Sequence, residues 1–121
     1  MSAFKRGDLV KIPFPYDDPA AEQRRPALVV SNGSTGRGDG LLWVVMVTSA
    51  DHIAWPGDVP LGARYTQMGL PAPSIVRTAK IAVIEKTRAD RIGHIPPEIM
   101  LVIDQMLLST LGLRERSRQF R

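Results

Sequence analysis

The chain reads RRPALVVSN over residues 24–32 and LLWVVMVTS over residues 41–49. In each stretch, an apolar run that predicts a buried strand ends in polar residues able to form hydrogen bonds. A sheet holds its strand ends in fixed positions, so they are suitable places for an active group. If the two strands are neighbours, their polar ends form one site.

The segment before these runs predicts a further strand. Gly7 and Asp8 precede an alternation over residues 9–14 with the period of two expected for a strand that has one buried face. The prolines and aspartates that follow predict a loop that extends to about Arg24.

The two opening runs predict the second and third strands. Pro26 restricts the second strand to residues 27–31, because proline is tolerated only at the start or edge of a strand. Residues 32–40 are turn-forming throughout, so a wide hairpin is expected to lead to the third strand at residues 41–47.

The second half of the chain changes period. Residues 51–73 are rich in proline and glycine and predict loops with one or two short strands. An alternating, β-branched pattern returns at residues 74–85, and residues 91–95 predict a short closing strand. A helix is predicted over residues 97–111, with proline in its first turn and glycine after its end. Its apolar arc is wider than one sheet requires, which leaves a second intramolecular neighbour and a dimer partner both open.

Several short strands followed by one helix predict a mainly β fold, a small barrel with a helical cap. At 121 residues the chain is expected to form one domain with a single core. We expect the domain to span residues 1–113 and residues 114–121 to form a basic tail. Phe14 and Trp43 lie within predicted strands and are expected in the core.

Composition limits the class of protein. No apolar run approaches the length of a membrane helix, the first six residues lack the apolar stretch of a secretory signal, and there is no cysteine. A cytoplasmic protein is therefore expected. The net charge is +4, of which the tail carries +3, so the near-neutral remainder gives only weak support for nucleic-acid binding.

Five motifs in chain order resemble the MazF/PemK family of toxin endoribonucleases. They are KRGDLV at 5–10, RPALVVS at 25–31, VTS at 47–49, SIVRT at 74–78 and LGL at 111–113. The resemblance implies an SH3-like small barrel of the CcdB/PemK type, usually a homodimer. It also implies sequence-specific cleavage of single-stranded mRNA with no metal or other cofactor, and neutralisation by a cognate antitoxin with which the toxin can bind operator DNA.

The resemblance also implies a set of catalytic positions. The family's essential arginine and threonine match Arg25 and Thr48. Ser49 and Arg77 lie at positions that some members use, and Glu22 resembles a glutamate present in many members. Two departures stand near this set. A histidine that some members carry is Ala21 here, and an aspartate of one branch is Ala79.

Metal-free RNA cleavage defines the tasks of these residues. The ribose 2′-hydroxyl attacks the adjacent phosphorus, so the enzyme must take up that proton, stabilise the charge on the phosphorane and protonate the departing 5′-oxygen. Arg25 is expected to clamp phosphate oxygens, because removing a guanidinium proton at neutral pH would cost roughly 7 kcal/mol. Thr48 and Ser49 can donate to the same oxygens. Proton transfer is left open among Glu22, water and Arg77.

The remaining candidates are assigned to RNA binding. Trp55 can stack on an unpaired base or plug the barrel end, and His52 lies in the same loop-rich segment. His52 and His94 adjoin neither strand end in this interpretation, so neither is assigned the proton transfer. Lys80 lies three residues after Arg77, and the two share a groove only if a bulge interrupts the strand.

Each functional assignment has an alternative. Arg77 could simply pair with a carboxylate such as Glu85. Thr48 and Ser49 could cap the backbone at the end of their own strand. For the whole chain, a non-catalytic toxin of the CcdB type would need an aromatic anchor near the helix, for which only Phe120 is available. A plain DNA- or RNA-binding module is the third possibility.

Overall fold

Six strands form one antiparallel sheet in the computed structural model, which describes residues 3–113. Their order across the sheet is β4-β5-β3-β2-β1-β6. The strands are β1 (Asp8–Phe14), β2 (Gln23–Val29), β3 (Leu41–Ser49), β4 (Asp58–Pro60), β5 (Ser74–Glu85) and β6 (Asp90–His94). Helix α1 spans Pro97–Leu111. The described chain also contains 3₁₀ helices at Arg37–Asp39, Gly62–Met68 and Lys86–Arg88. The predicted basic tail, with Phe120, lies outside the described residues.

A close backbone approach brings the two edges of the sheet together. The 3₁₀ helix Gly62–Met68 follows edge strand β4 along the chain and packs on the other edge strand, β6. A Cβ atom on Gly93 would overlap the carbonyl of Met68, and one on Gly69 would overlap the carbonyl of Ile92. Only glycine allows backbones to come this close. The mainly β, SH3-like small barrel with a C-terminal helix is thereby confirmed.

Each face of the sheet carries a buried apolar cluster, and successive residues of a strand contribute to opposite faces. On β3, Val45 and Val47 belong to the cluster beneath α1, whereas Val44 and Met46 belong to a second cluster on the other side. The expectation of a single core is therefore wrong. The domain is one unit, but it buries two clusters, and the strands that reach the site are fixed from both sides.

The boundaries of most elements agree with the sequence pattern, and β2 is the main exception. The helix covers the predicted residues 97–111, and Gly112 ends it in the left-handed conformation at φ 73°. Strand β2 begins at Gln23 instead of residue 27, because β1 provides ladder partners for Arg24 and Arg25. It ends at Val29, so Ser31 lies beyond the strand.

The apolar arc of α1 is only partly covered. Met100 and Ile103 are buried against the sheet, whereas Leu111 is exposed. Trp43 is also exposed, at 49%, so its placement in the core is wrong. Phe14 is partly buried at the edge of the second cluster. Within residues 3–113 no helix combines the length and the apolar character needed to cross a membrane.

Candidate active site

A proline opens the groove between the ends of β2 and β3. The ladder between these strands pairs Ala27 with Met46 and continues inward from there. Pro26 has no N–H to donate, and the ladder does not include it. The same register, extended by two residues, sets Arg25 opposite Thr48. The polar ends of the two opening runs are therefore neighbours, as the sequence predicts.

Two adjoining depressions meet at Arg25 and Thr48. The larger is a surface groove of about 320 Å³ whose polar lining includes Arg24, Arg25, Thr48, Ser49 and His52. The smaller, of about 50 Å³, is lined by Phe14, Arg25, Thr48, Arg77 and Lys80, among others. Most of the residues predicted for the site thus surround one position at the end of the sheet.

Arg25 is a cation with unused hydrogen-bonding capacity. Its guanidinium carbon lies 4.9 Å from the centroid of the Phe14 ring, and the Lys80 Nζ lies 5.2 Å from the same centroid. The Arg25 Nε is buried and has no hydrogen-bond partner among residues 3–113. An unpaired buried donor costs about 1–3 kcal/mol. Neither Arg25 nor Lys80 forms an ion pair within the described chain. The depression therefore suits an anion that accepts hydrogen bonds.

The loop after β3 returns His52 to the strand end. The Thr48 Oγ1 lies 2.6 Å from the His52 Nδ1, a hydrogen-bond distance. Within the turn, the Asp51 amide donates to the Ser49 Oγ, and the His52 amide donates to the Ser49 carbonyl. The prediction that His52 does not adjoin the strand end is wrong. The missed signal is Ser49, because a serine hydroxyl readily accepts from the amide two residues on and starts a turn.

Arg77 is buried, with 8% of its surface exposed, and it is held by Asp58. The Arg77 Nε donates to the Asp58 Oδ1 at 3.2 Å, and Nη2 donates to Oδ2 at 2.9 Å and to the Ile53 carbonyl at 2.8 Å. The alternative that Arg77 pairs with a carboxylate is therefore confirmed, but the partner is Asp58 and not Glu85. The guanidinium also lies 4.2 Å from the Trp55 ring centroid.

The same contacts fix the Trp55 loop. The Trp55 amide donates to the Asp58 Oδ2 at 2.8 Å. Burial alone would raise the pKa of Asp58, but the hydrogen bonds from Arg77 and from this amide outweigh it and lower the pKa below its ordinary value. The Trp55 ring covers Arg77 and is 43% exposed, so it does not plug the barrel.

A bulge in β5 brings Lys80 to the same depression as Arg77. Opposite β3, Met46 pairs with Arg77 but Val45 pairs with Ile81, so three residues of β5 are left without a partner in β3. This is the interruption that the odd spacing of Arg77 and Lys80 requires.

Glu22 and His94 lie away from the groove. Glu22 is exposed, precedes β2, and lines neither depression. His94 lies beside Asp8, with its Nδ1 3.1 Å from the Asp8 Oδ1, away from the groove. In the part of the chain that the structure describes, no group of three or more His, Asp or Glu side chains is placed to hold a metal ion.

Comparison with known proteins gives consistent matches. The family model described as "PemK-like, MazF-like toxin of type II toxin-antitoxin system" matches residues 5–111. Endoribonuclease MazF2 of Mycobacterium bovis and endoribonuclease MazF6 of Mycobacterium tuberculosis are each 32% identical to the chain over 94 residues, which cover 75% of this chain and 81% of each relative.

Solved structures match over almost the whole fold. The MazE-MazF structure (Form-II) from Deinococcus radiodurans has a TM-score of 0.74 at 25% identity and covers 94% of this chain and 100% of its own. An endoribonuclease in complex with its cognate antitoxin, from Mycobacterial species, has a TM-score of 0.71 at 25% identity and covers 95% and 99%. Because the family model matches most of the chain and the relatives share both sequence and fold, this protein belongs to the PemK-like, MazF-like toxins of type II toxin–antitoxin systems.

Proposed function

We propose that this chain is an endoribonuclease toxin that cleaves single-stranded mRNA at a specific short sequence, without a metal, and that a cognate antitoxin neutralises it. The relatives named endoribonuclease MazF and the solved complex with an antitoxin support this proposal. The observation that carries it is the convergence of Arg25 and Thr48 on one groove, with the buried Arg25 Nε left without an acceptor among residues 3–113.

The groove has the donors that a phosphorane needs. Arg25 offers a planar fork that matches two phosphate oxygens and keeps its charge as negative charge develops. The Thr48 and Ser49 hydroxyls, which line the same groove, donate to these oxygens. In this mechanism the 2′-oxygen attacks phosphorus, the bond to the 5′-oxygen breaks, and the product carries a 2′,3′-cyclic phosphate.

Three further residues serve RNA binding in this proposal. Lys80 adds a positive charge beside Arg25. Trp55 keeps part of its ring exposed for stacking on an unpaired base, and His52 lines the groove. Arg77 is bound to Asp58 and to the Ile53 carbonyl. In this proposal it either donates a hydrogen bond toward the departing 5′-oxygen or holds Trp55 in place. Glu22 would reach the reaction only if its segment moved, and we give it no step.

An apolar face between α1 and the sheet suits a homodimer. Trp43 and Ile81 are exposed there and line a groove of about 460 Å³ together with Leu107, Leu108 and Leu111 of the helix. Contiguous apolar surface of this kind marks protein–protein contacts. We propose that a second copy of the chain covers it, and that the antitoxin complex of this dimer binds operator DNA.

The proposal also covers the domain boundaries and the cellular location. The family match over residues 5–111 supports a toxin domain that spans residues 1–113, followed by the basic segment 114–121. Cleavage of mRNA is a cytoplasmic activity, and we propose that location.

Incubation with a long transcribed single-stranded RNA in EDTA tests the activity. We expect discrete fragments with 2′,3′-cyclic phosphate ends, and no cut where the nucleotide 5′ of the scissile bond is 2′-deoxy. Arg25→Lys keeps the charge but loses the fork, so its rate should fall by about 10²-fold. Arg37→Lys, an exposed change in the hairpin, is the matched control.

A preparation that is folded but leaves every RNA intact would contradict the nuclease. Binding of RNA without cleavage would instead favour the nucleic-acid-binding module. Growth inhibition with neither property would favour a CcdB-type toxin that acts on a protein.

A further inference from the structure

The proposed reaction still lacks a proton acceptor, and the hydrogen bond between Thr48 and His52 lies where one is needed. The two side chains are 2.6 Å apart at Thr48 Oγ1 and His52 Nδ1, and both line the groove that contains Arg25. This inference rests on the proposed function and names a further residue for the same reaction.

The tautomer of the imidazole and the direction of that hydrogen bond depend on each other. Thr48 serves the phosphate only if its own O–H points to a phosphate oxygen, so Oγ1 must accept from His52. The His52 Nδ1 must then carry the proton. In a neutral imidazole the other nitrogen, Nε2, is left with a free lone pair. One tautomer therefore makes Thr48 a donor and Nε2 a base, and the opposite tautomer would remove both functions.

The other residues of the groove do not provide a base. Arg24 and Arg25 are its charged side chains, and guanidinium groups stay protonated. No carboxylate is among the residues that line it within the described chain. His52 Nε2 has no hydrogen-bond partner among residues 3–113, and the side chain is exposed at the groove.

We infer that His52 is the general base. Its Nε2 takes the proton from the 2′-hydroxyl as the 2′-oxygen forms its bond to phosphorus. The bond between phosphorus and the 5′-oxygen breaks, and the 5′-oxygen takes a proton from water. The imidazolium then returns its proton to solvent, so no oxidant, metal or other co-reactant is consumed.

Two substitutions separate base catalysis from positioning of Thr48. His52→Asn retains an N–H donor near the place of Nδ1 but has nothing at Nε2. His52→Ala removes both nitrogens and leaves space for added imidazole. The readout is the single-turnover rate on an oligoribonucleotide that contains the mapped cleavage site, with thermal unfolding to establish that each variant is folded. His94→Asn, which changes an imidazole remote from the groove, is the matched control.

We expect both His52 variants to lose about 10²-fold or more in rate, the usual contribution of a general base. Imidazole in solution should restore cleavage by His52→Ala in proportion to its concentration, and it should leave His52→Asn and His94→Asn unchanged. Full activity of His52→Asn would overturn the inference, because donation to Thr48 would then suffice. Failure of imidazole to rescue folded His52→Ala would also overturn it. In both cases wild-type cleavage would leave the proposed function standing, whereas a wild type that cuts no RNA would refute both.

Discussion

The ion pair between Arg77 and Asp58 gives a prediction whose size follows from burial. The two side chains are 9% and 8% exposed, and two hydrogen bonds join them. Asp58→Asn keeps the shape and one oxygen acceptor but removes the charge. Removing one partner of a buried pair leaves the other charge uncompensated and costs about 3–5 kcal/mol. Because the introduced amide would retain one acceptor for Arg77, we expect the lower limit, about 3 kcal/mol.

Thermal and urea unfolding, followed by circular dichroism, measure this loss. For a domain of this size a loss of about 3 kcal/mol lowers the melting temperature by roughly 12 °C. Asp39→Asn is the matched control, because Asp39 is exposed and its left-handed backbone, at φ 52°, accepts asparagine. The control should stay within about 0.5 kcal/mol of wild type.

A stricter test is the pH dependence of the stability gap, the difference in free energy of unfolding between wild type and Asp58→Asn. The folded protein lowers the pKa of Asp58, because the bonds from Arg77 and the Trp55 amide outweigh burial. A lowered pKa stabilises the fold above the ordinary pKa of a carboxyl, and that stability is lost as the pH falls through the folded value. The gap should therefore be full at about pH 7 and narrow below about pH 4. A variant as stable as Asp39→Asn at neutral pH, or a gap unchanged in acid, would refute the reasoning.

Three further predictions concern other parts of the fold. Gly93→Ala should lower the free energy of unfolding in urea by more than about 3 kcal/mol, because the added Cβ overlaps the Met68 carbonyl. Gly40→Ala, whose Cβ would meet only an ordinary contact at 3.6 Å, should stay near wild type. Equal stabilities of the two variants would contradict the close backbone approach at Gly93. Asp8→Asn should lower stability at neutral pH and not in strong acid, since burial raises the pKa of Asp8 but hydrogen bonds from the Lys5 amide, His94 and Arg91 lower it overall. Trp43→Glu should convert a dimer to monomers in size-exclusion chromatography with light scattering, and an unchanged mass would argue against the proposed face.

The elements that the sequence predicts best carry their own boundary signals. The helix over residues 97–111 begins with a proline and ends before a glycine, and both are local features. Strand β5 is rich in β-branched residues over residues 74–85, on both sides of its bulge. The start of β2 depends on a partner instead, because Arg24 becomes strand only by pairing with Pro13 of β1. A pattern within the segment cannot show that partner.

The site residues also divide into those with a local sequence signal and those that depend on a distant partner. The convergence of Arg25 and Thr48 could be predicted, since each borders one of the two apolar runs that form neighbouring strands. The partner of Arg77 could not, because Asp58 lies 19 residues away on another strand. The exposure of Trp43 was missed for a similar reason: its alternation with Val45 gives the face, but not how far α1 extends across that face.

The end of the β2–β3 ladder at Ala27 has a mechanical consequence. The distance between Arg25 and Thr48 is set by three consecutive residue pairs of two core strands, and not by a loop. One wall of the groove is therefore as stiff as the sheet. Other lining residues, such as Pro71 and Ala72, belong to connecting segments, which adjust more readily than strands to the shape of an incoming RNA strand.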